Sequence, residues 1–80
     1  QTQFCPVDGV YVLARRYEGR TVMTIVNGTS EAKTIALSRY AELLPAAPVS
    51  ARDILTDATV TLAADATLPI AARGTYVLEF

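Results

Sequence analysis

The stretch TVMTIVN, residues 21–27, decides how the rest of the chain is placed. It is the most continuous apolar run, it is rich in β-branched residues, and the turn pair Asn27-Gly28 closes it. An unbroken apolar run of this kind indicates a strand that is covered on both faces rather than one lying half in water. We therefore expect residues 21–27 to form a central strand buried on both faces, with shorter strands around it.

The segments that flank residues 21–27 have the alternation of half-exposed strands. Residues 10–17 begin apolar and end charged, and Glu18-Gly19 then indicates a hairpin turn into the central strand. Residues 33–37 alternate again after a polar loop. We expect these three strands to form an antiparallel meander.

A helical turn and a crossover separate this meander from a second group of strands. Ser38 is a suitable N-cap for one or two helical turns that end at Pro45, and residues 46–48 then cross between sheets. Short runs follow at residues 51–55, 60–62, 67–70 and 75–80. Pro69 lacks a ladder N–H, which places its strand at an edge. The predicted fold is all-β, an antiparallel Greek-key β-sandwich of about seven short strands with one helical turn in the crossover.

The composition is that of one small, globular and nearly neutral domain. The chain has 80 residues, of which 51% are hydrophobic and 19% charged, so it has room for one core. The net charge is -1, and basic and acidic residues are interspersed along the chain. The chain therefore lacks the basic stripe that is typical of a nucleic-acid binder. No apolar run approaches the ~20 residues that span a bilayer, and nothing resembles a signal peptide, so we expect no membrane partner. A bacterial periplasm and a cytoplasm both remain open as the compartment.

Reactive side chains are scarce. The single cysteine, Cys5, cannot form an internal disulfide, and the absence of histidine removes the commonest general base and metal ligand. The serines lack both a histidine partner and a Gly-x-Ser-x-Gly elbow. We expect no catalytic residue, no metal site and no cofactor.

Three polar groups have an ordinary structural explanation beside a functional one. A glycosidase needs two carboxylates about 5–10 Å apart across a cleft, and Asp53 and Asp57 are the nearest such pair in sequence. Turn formation by exposed, solvated acids explains these residues better. Asn27-Gly28-Thr29 matches a glycosylation sequon, but Asn-Gly is also the pair expected in a turn.

Aromatic side chains are the candidates for sugar binding, because a flat apolar ring can stack on a pyranose. The chain has no tryptophan. Tyr11, Tyr76 and Phe80 fall on periods that point inward, so we assign them to the core. Tyr17 lies at a strand end and Tyr40 in the crossover, where both could be exposed. Tyr17 and Tyr40 are therefore the candidate sugar contacts, with packing as the commoner role of such rings.

Eight phrases together, in their order and spacing, resemble one known domain family. They are Phe4-Cys5-Pro6, residues 9–12, Arg16-Tyr17, residues 21–27, residues 35–40, Asp53-Ile54-Leu55-Thr56, Leu68-Pro69 and residues 74–79. This order is similar to that in the C-terminal β-domain of the cyclomaltodextrinase and neopullulanase group, in the α-amylase superfamily (glycoside hydrolase family 13). One departure is Asp57, where the family often has a turn glycine.

The resemblance implies a Greek-key sandwich that follows a catalytic barrel. Residues 1–80 would then be one domain of a longer, multidomain enzyme. It implies a non-catalytic accessory domain of a glycosidase acting on α-glucans, packed on the barrel and stabilising it. The family's acid, nucleophile and calcium-type sites belong to the barrel, so no catalytic residue is carried over. The alternative is a carbohydrate-binding module for malto-oligosaccharides. By itself the domain would expose an apolar patch and self-associate.

Overall fold

The computed structural model describes residues 2–3, 9–40, 44 and 48–80. In this part of the chain lie eight strands and one 3-10 helix. Their bounds are β1 Thr2–Gln3, β2 Val10–Tyr17, β3 Arg20–Asn27, β4 Lys33–Ala36, the 3-10 helix Leu37–Tyr40, β5 Val49–Asp53, β6 Thr59–Leu62, β7 Thr67–Ile70 and β8 Thr75–Glu79.

The strands form two antiparallel sheets. The larger sheet has six strands in the order β1-β2-β3-β8-β5-β6, and the smaller consists of β4 and β7. A hydrophobic core between the sheets includes side chains from both, such as Ile25 and Leu78 from the large sheet and Ile35 and Ile70 from the small one. The predicted all-β sandwich with one short helical turn is confirmed.

The first hairpin is confirmed, but the three-strand meander is wrong. Residues 18 and 19 turn β2 into β3 with left-handed backbone, at φ 48° for Glu18 and 78° for Gly19. After β3, however, the chain leaves the large sheet, and β4 pairs with β7 instead. The edge of β3 is taken by β8, which pairs Ile25 with Tyr76 and Met23 with Leu78. The apolar alternation of β4 specified a buried face and left the choice of partner strand open.

The central strand is covered on one face only, which corrects the prediction that both faces are buried. Thr21, Met23, Ile25 and Asn27 are buried beneath the small sheet, whereas the intervening side chains are only half-buried. The described part of the chain forms two layers, so none of its elements covers the outer face of the large sheet. The apolar side chains of that outer face therefore remain partly exposed.

Several boundaries in the second half differ from the prediction. The helical turn spans Leu37–Tyr40 and so begins earlier than predicted; Pro45 and residues 46–47 lie outside the described residues. β5 ends at Asp53, so Ile54 and Leu55 belong to a turn, with 42% and 60% of their surface exposed. The edge position of the strand with Pro69 is confirmed, because β7 belongs to the two-stranded sheet.

Candidate functional site

The outer face of β2, β3 and β8 carries an apolar surface in three rows. In antiparallel sheets, residues directly opposite one another project from the same side. The rows are Tyr11–Val26–Thr75, Leu13–Thr24–Val77 and Arg15–Val22–Glu79. We call the six residues Tyr11, Leu13, Val22, Thr24, Val26 and Val77 the open face.

The open face includes one ring that was expected in the core. Tyr11 is 52% exposed, because its period along β2 points away from the small sheet while Val10 and Val12 point towards it. Beside it, Leu13, Arg15, Val22 and Thr24 line a shallow depression of about 270 Å³. The apolar surface extends past Val77 to the exposed Ile54, whose amide donates to the Val77 carbonyl at 2.8 Å.

Charged side chains border one side of the open face. Glu79 Oε1 lies 3.5 Å from a guanidinium nitrogen of Arg20 and 3.7 Å from one of Arg52. Arg52 also reaches Asp57 Oδ1 at 3.2 Å. An apolar centre with a polar rim is the usual anatomy of a protein interface.

The two candidate sugar contacts have opposite environments. Tyr40 is 1% exposed within the 3-10 helix and belongs to the core, so the expectation that its ring could be exposed is wrong. The apolar helix face carries both Leu37 and Tyr40 inward. Tyr17 is 68% exposed at the end of β2. Its contact with sugar stays a prediction.

Tyr17 borders a depression of about 570 Å³ beside the β2–β3 turn. Arg16, Glu18 and Gly19 of the same hairpin line it, and Phe80 lines it from the end of the chain. The predicted inward periods of Tyr76 and Phe80 are confirmed, since both pack half-buried against the core. By the alternation of β2, Tyr17 projects from the same side of the large sheet as Tyr11 and lies six residues further along the strand.

Asp53 is a buried turn organiser rather than an exposed acid. It is 2% exposed, and its Oδ1 accepts hydrogen bonds from the amides of Leu55 at 3.2 Å and Val77 at 3.3 Å. Its Oδ2 accepts from the Thr56 hydroxyl at 3.0 Å. The predicted turn role is confirmed, whereas the predicted solvation is wrong because the carboxylate fastens the turn to β8. These partners of the carboxylate are backbone amides and a hydroxyl of the turn and the sheet.

Asp57 occupies the position where the resembling family often has glycine. Its φ is 63°, which lies in the left-handed region that glycine adopts freely and Asp tolerates better than most residues. Its amide donates to the Asp53 carbonyl at 2.7 Å. The backbone conformation at this position therefore suits a glycine or an aspartate.

Asn27 ties two loops together and explains the apparent sequon. It is 1% exposed, and Nδ2 donates to the carbonyls of Glu31 at 2.7 Å and Ala71 at 3.0 Å. Its Oδ1 accepts from the Thr29 amide at 3.0 Å and the Thr29 hydroxyl at 2.6 Å. A side chain with these four bonds is committed to the fold, so the structural explanation of the motif is favoured.

The described part of the chain has neither a metal-binding cluster nor a membrane-spanning helix. Residues 2–3, 9–40, 44 and 48–80 contain no group of three or more metal-ligating side chains that could hold an ion. No helix within those ranges has the length and hydropathy to cross a membrane.

The fold and its open face define a small β-sandwich domain of two antiparallel sheets. The chain belongs to the cyclo-malto-dextrinase C-terminal domain family, whose model matches residues 1–79. In fold it is similar to part of alpha-galactosidase I from Mortierella vinacea, with a TM-score of 0.71 at 16% sequence identity. That match covers 98% of this chain but 22% of the alpha-galactosidase chain.

The open face was the feature that residue patterns missed. Its signal was present in the alternation of Tyr11 and Leu13 with the buried residues of β2. Alternation along a strand indicates that one of its faces is covered. Where both faces carry apolar residues, as in β2, the alternation does not say which face that is.

Proposed function

We propose that this chain is a non-catalytic C-terminal accessory domain of a glycoside hydrolase that acts on α-glucans. In this proposal its open face packs on the catalytic barrel of the same polypeptide and stabilises it. Membership of a C-terminal domain family supports the position after another domain. The chain spans 22% of the alpha-galactosidase that shares its fold, which is consistent with a module of a larger enzyme.

The observation that carries the proposal is the apolar open face on a sheet whose other face is already covered. A small domain gains little by leaving Tyr11, Leu13 and Val22 at the surface, since apolar area in water costs ~25 cal/mol per Å². An interface between domains of one chain buries ~600–1,500 Å² and is more polar at its edge than a core. The apolar rows and the ion pairs of Glu79 fit that description.

Tyr11 gives the scale of the effect. A tyrosine side chain buries ~150–250 Å² in full, and 52% of Tyr11 is exposed. Covering it would remove ~100 Å² from water, equivalent to ~2.5 kcal/mol before the ordering costs of association are subtracted. A few such residues suffice to hold two linked domains together.

The test is a charge placed in the open face of the full-length polypeptide. Leu13→Glu would bury a carboxylate against the barrel, so we expect the thermal midpoint of the catalytic domain to fall by at least ~5 °C. Thr34→Glu is the matched control, because Thr34 is exposed on the small sheet and should leave that midpoint unchanged. Equal midpoints for both variants and the wild type would refute docking through this face.

The 80-residue chain alone provides a second test. With the open face uncovered, we expect it to bind an apolar dye and to self-associate in light scattering, and Leu13→Glu should reduce both. A stable monomer that binds no dye would contradict the proposal.

A further inference from the structure

We propose that the depression beside the β2–β3 turn is a subsite for a neutral glucan chain, with the Tyr17 ring as its stacking platform. The sugar class rests on the proposed function, whereas the site itself rests on the geometry. The depression has a volume of about 570 Å³. That volume falls within the ~300–1,000 Å³ range of pockets that hold small ligands.

The aromatic ring at this site is highly exposed to solvent. Tyr17 is 68% exposed, more than Tyr11, Ile54 or Leu55, which are the other large hydrophobic residues exposed in the described chain. The half-buried Phe80 lines the same depression and adds a second aromatic side chain. Pyranose rings have apolar C–H faces, and aromatic rings are the side chains that complement them.

The platform stands on a stiff element. Tyr17 pairs with Arg20 across a two-residue turn in which Glu18 and Gly19 both have positive φ, at 48° and 78°. Turns of this kind match the twist of the two strands that they join. Little backbone freedom is left to lose when a ligand binds, which lowers the entropic cost of a weak sugar site.

The charges around the ring favour a neutral, hydroxyl-rich ligand. Arg16 and Glu18 both line the depression, and Arg20 is paired with Glu79 nearby. Opposite charges side by side produce no strong net field for an anion or a cation. Guanidinium and carboxylate groups do provide donors and acceptors for sugar hydroxyls.

The site lies at the opposite end of β2 from Tyr11, next to the row of Arg15, Val22 and Glu79. Tyr11 and Tyr17 both lie on β2, and at ~3.3 Å per residue their Cα atoms are roughly 20 Å apart. The depression is bordered by Thr21 and Val49, neither of which belongs to the open face. Docking on the barrel and sugar binding can therefore be tested independently.

The experiment is an NMR titration of the 80-residue chain with maltotriose and maltoheptaose up to millimolar concentrations. We expect shift changes confined to the amides of Tyr17, Gly19, Val49 and Phe80. Tyr17→Ala should weaken binding about tenfold, and Tyr17→Phe should retain it within about threefold because the stacking ring is kept. Tyr11→Ala is the matched control and should bind as the wild type does.

Three results would overturn the subsite. These are an absence of localised shifts at millimolar sugar, wild-type affinity in the Tyr17→Ala variant, or shifts centred on Tyr11 and the open face. Retained dispersion of the amide spectrum would show that each variant is folded. We expect the Tyr17 variants to fold because the Tyr17 side chain is so exposed. None of these results alters the dye-binding and thermal tests of docking, so failure of the subsite is distinguishable from failure of the accessory role.

Discussion

Removing the Asp53 carboxylate should destabilise the domain severely. In the Asp53→Ala variant the amide of Val77, in the middle of β8, loses its side-chain acceptor, and the Thr56 hydroxyl loses its partner. An unsatisfied buried donor costs ~1–3 kcal/mol, and loosening of the turn adds ~1 kcal/mol. We expect a loss of ~2–4 kcal/mol.

That loss is large compared with the total. At ~0.05–0.15 kcal/mol per residue, a domain of this size has ~4–12 kcal/mol of unfolding free energy. The variant would lose a third of the middle of that range, and its thermal midpoint should fall by at least ~10 °C. Chemical denaturation followed by circular dichroism measures the change directly.

Two variants separate the explanations. Asp53→Asn keeps an acceptor for both amides, and its NH₂ group can donate to the Thr56 hydroxyl, so we expect a cost of only ~1 kcal/mol. Asp57→Asn removes an exposed ion pair with Arg52 and should change stability by less than ~0.5 kcal/mol. The reasoning is refuted if Asp53→Ala costs less than ~1 kcal/mol, or if Asp53→Asn is as damaging as Asp53→Ala.

Five further substitutions test the turns by the same denaturation assay. Asn27→Asp should cost ~2–4 kcal/mol, because a carboxylate oxygen would face the two backbone carbonyls to which the Asn27 amide now donates. An unchanged stability would mean that other contacts hold the two loops together. Gly74→Ala should cost ~1–3 kcal/mol, since its Cβ would lie 2.9 Å from the Ala71 carbonyl oxygen. Gly28→Ala, whose Cβ would meet only ordinary contacts, is the control and should cost less; equal losses would exclude the steric explanation. Residue 57 has a φ of 63°, so Asp57→Ala should cost ~1 kcal/mol while Asp57→Gly leaves the stability nearly unchanged. A larger loss for Asp57→Gly than for Asp57→Ala would show that the aspartate side chain, and not the backbone conformation, determines stability at this position.

The elements that alternate strongly were predictable from the sequence. Residues 10–17 and the Glu18-Gly19 turn specify a hairpin through local chemistry alone, and the structure has that hairpin. The partner of residues 33–36 was not predictable in this way. Strand pairing depends on contacts distant in sequence, here β4 with β7 and β3 with β8, and the period of a strand carries no information on its neighbour.

The candidate site was predicted only in part. Tyr17 is exposed because its strand runs beyond the core, which the charged end of residues 10–17 indicated. Tyr40 is buried because the helical turn starts two residues before Arg39 and directs the ring inward. The burial of Asp53 was hidden for a different reason. A carboxylate that satisfies two amides and a hydroxyl can be buried, and sequence alone does not reveal those partners.

The place of β8 has a consequence for synthesis on the ribosome. It follows the other seven described strands in chain order, yet it lies between β3 and β5 in the large sheet. Until Thr75–Glu79 has left the ribosomal exit tunnel, the β2–β3 hairpin presents an unpaired edge along Val22–Val26. Before then β5 and β6 lack the strand that joins them to this hairpin by hydrogen bonds. At ~5–20 residues per second, the segment from β3 to β8 takes seconds to translate. A nascent chain is therefore open to strand pairing with its neighbours throughout that interval, and completion of the sheet becomes a late event that joins two preformed halves.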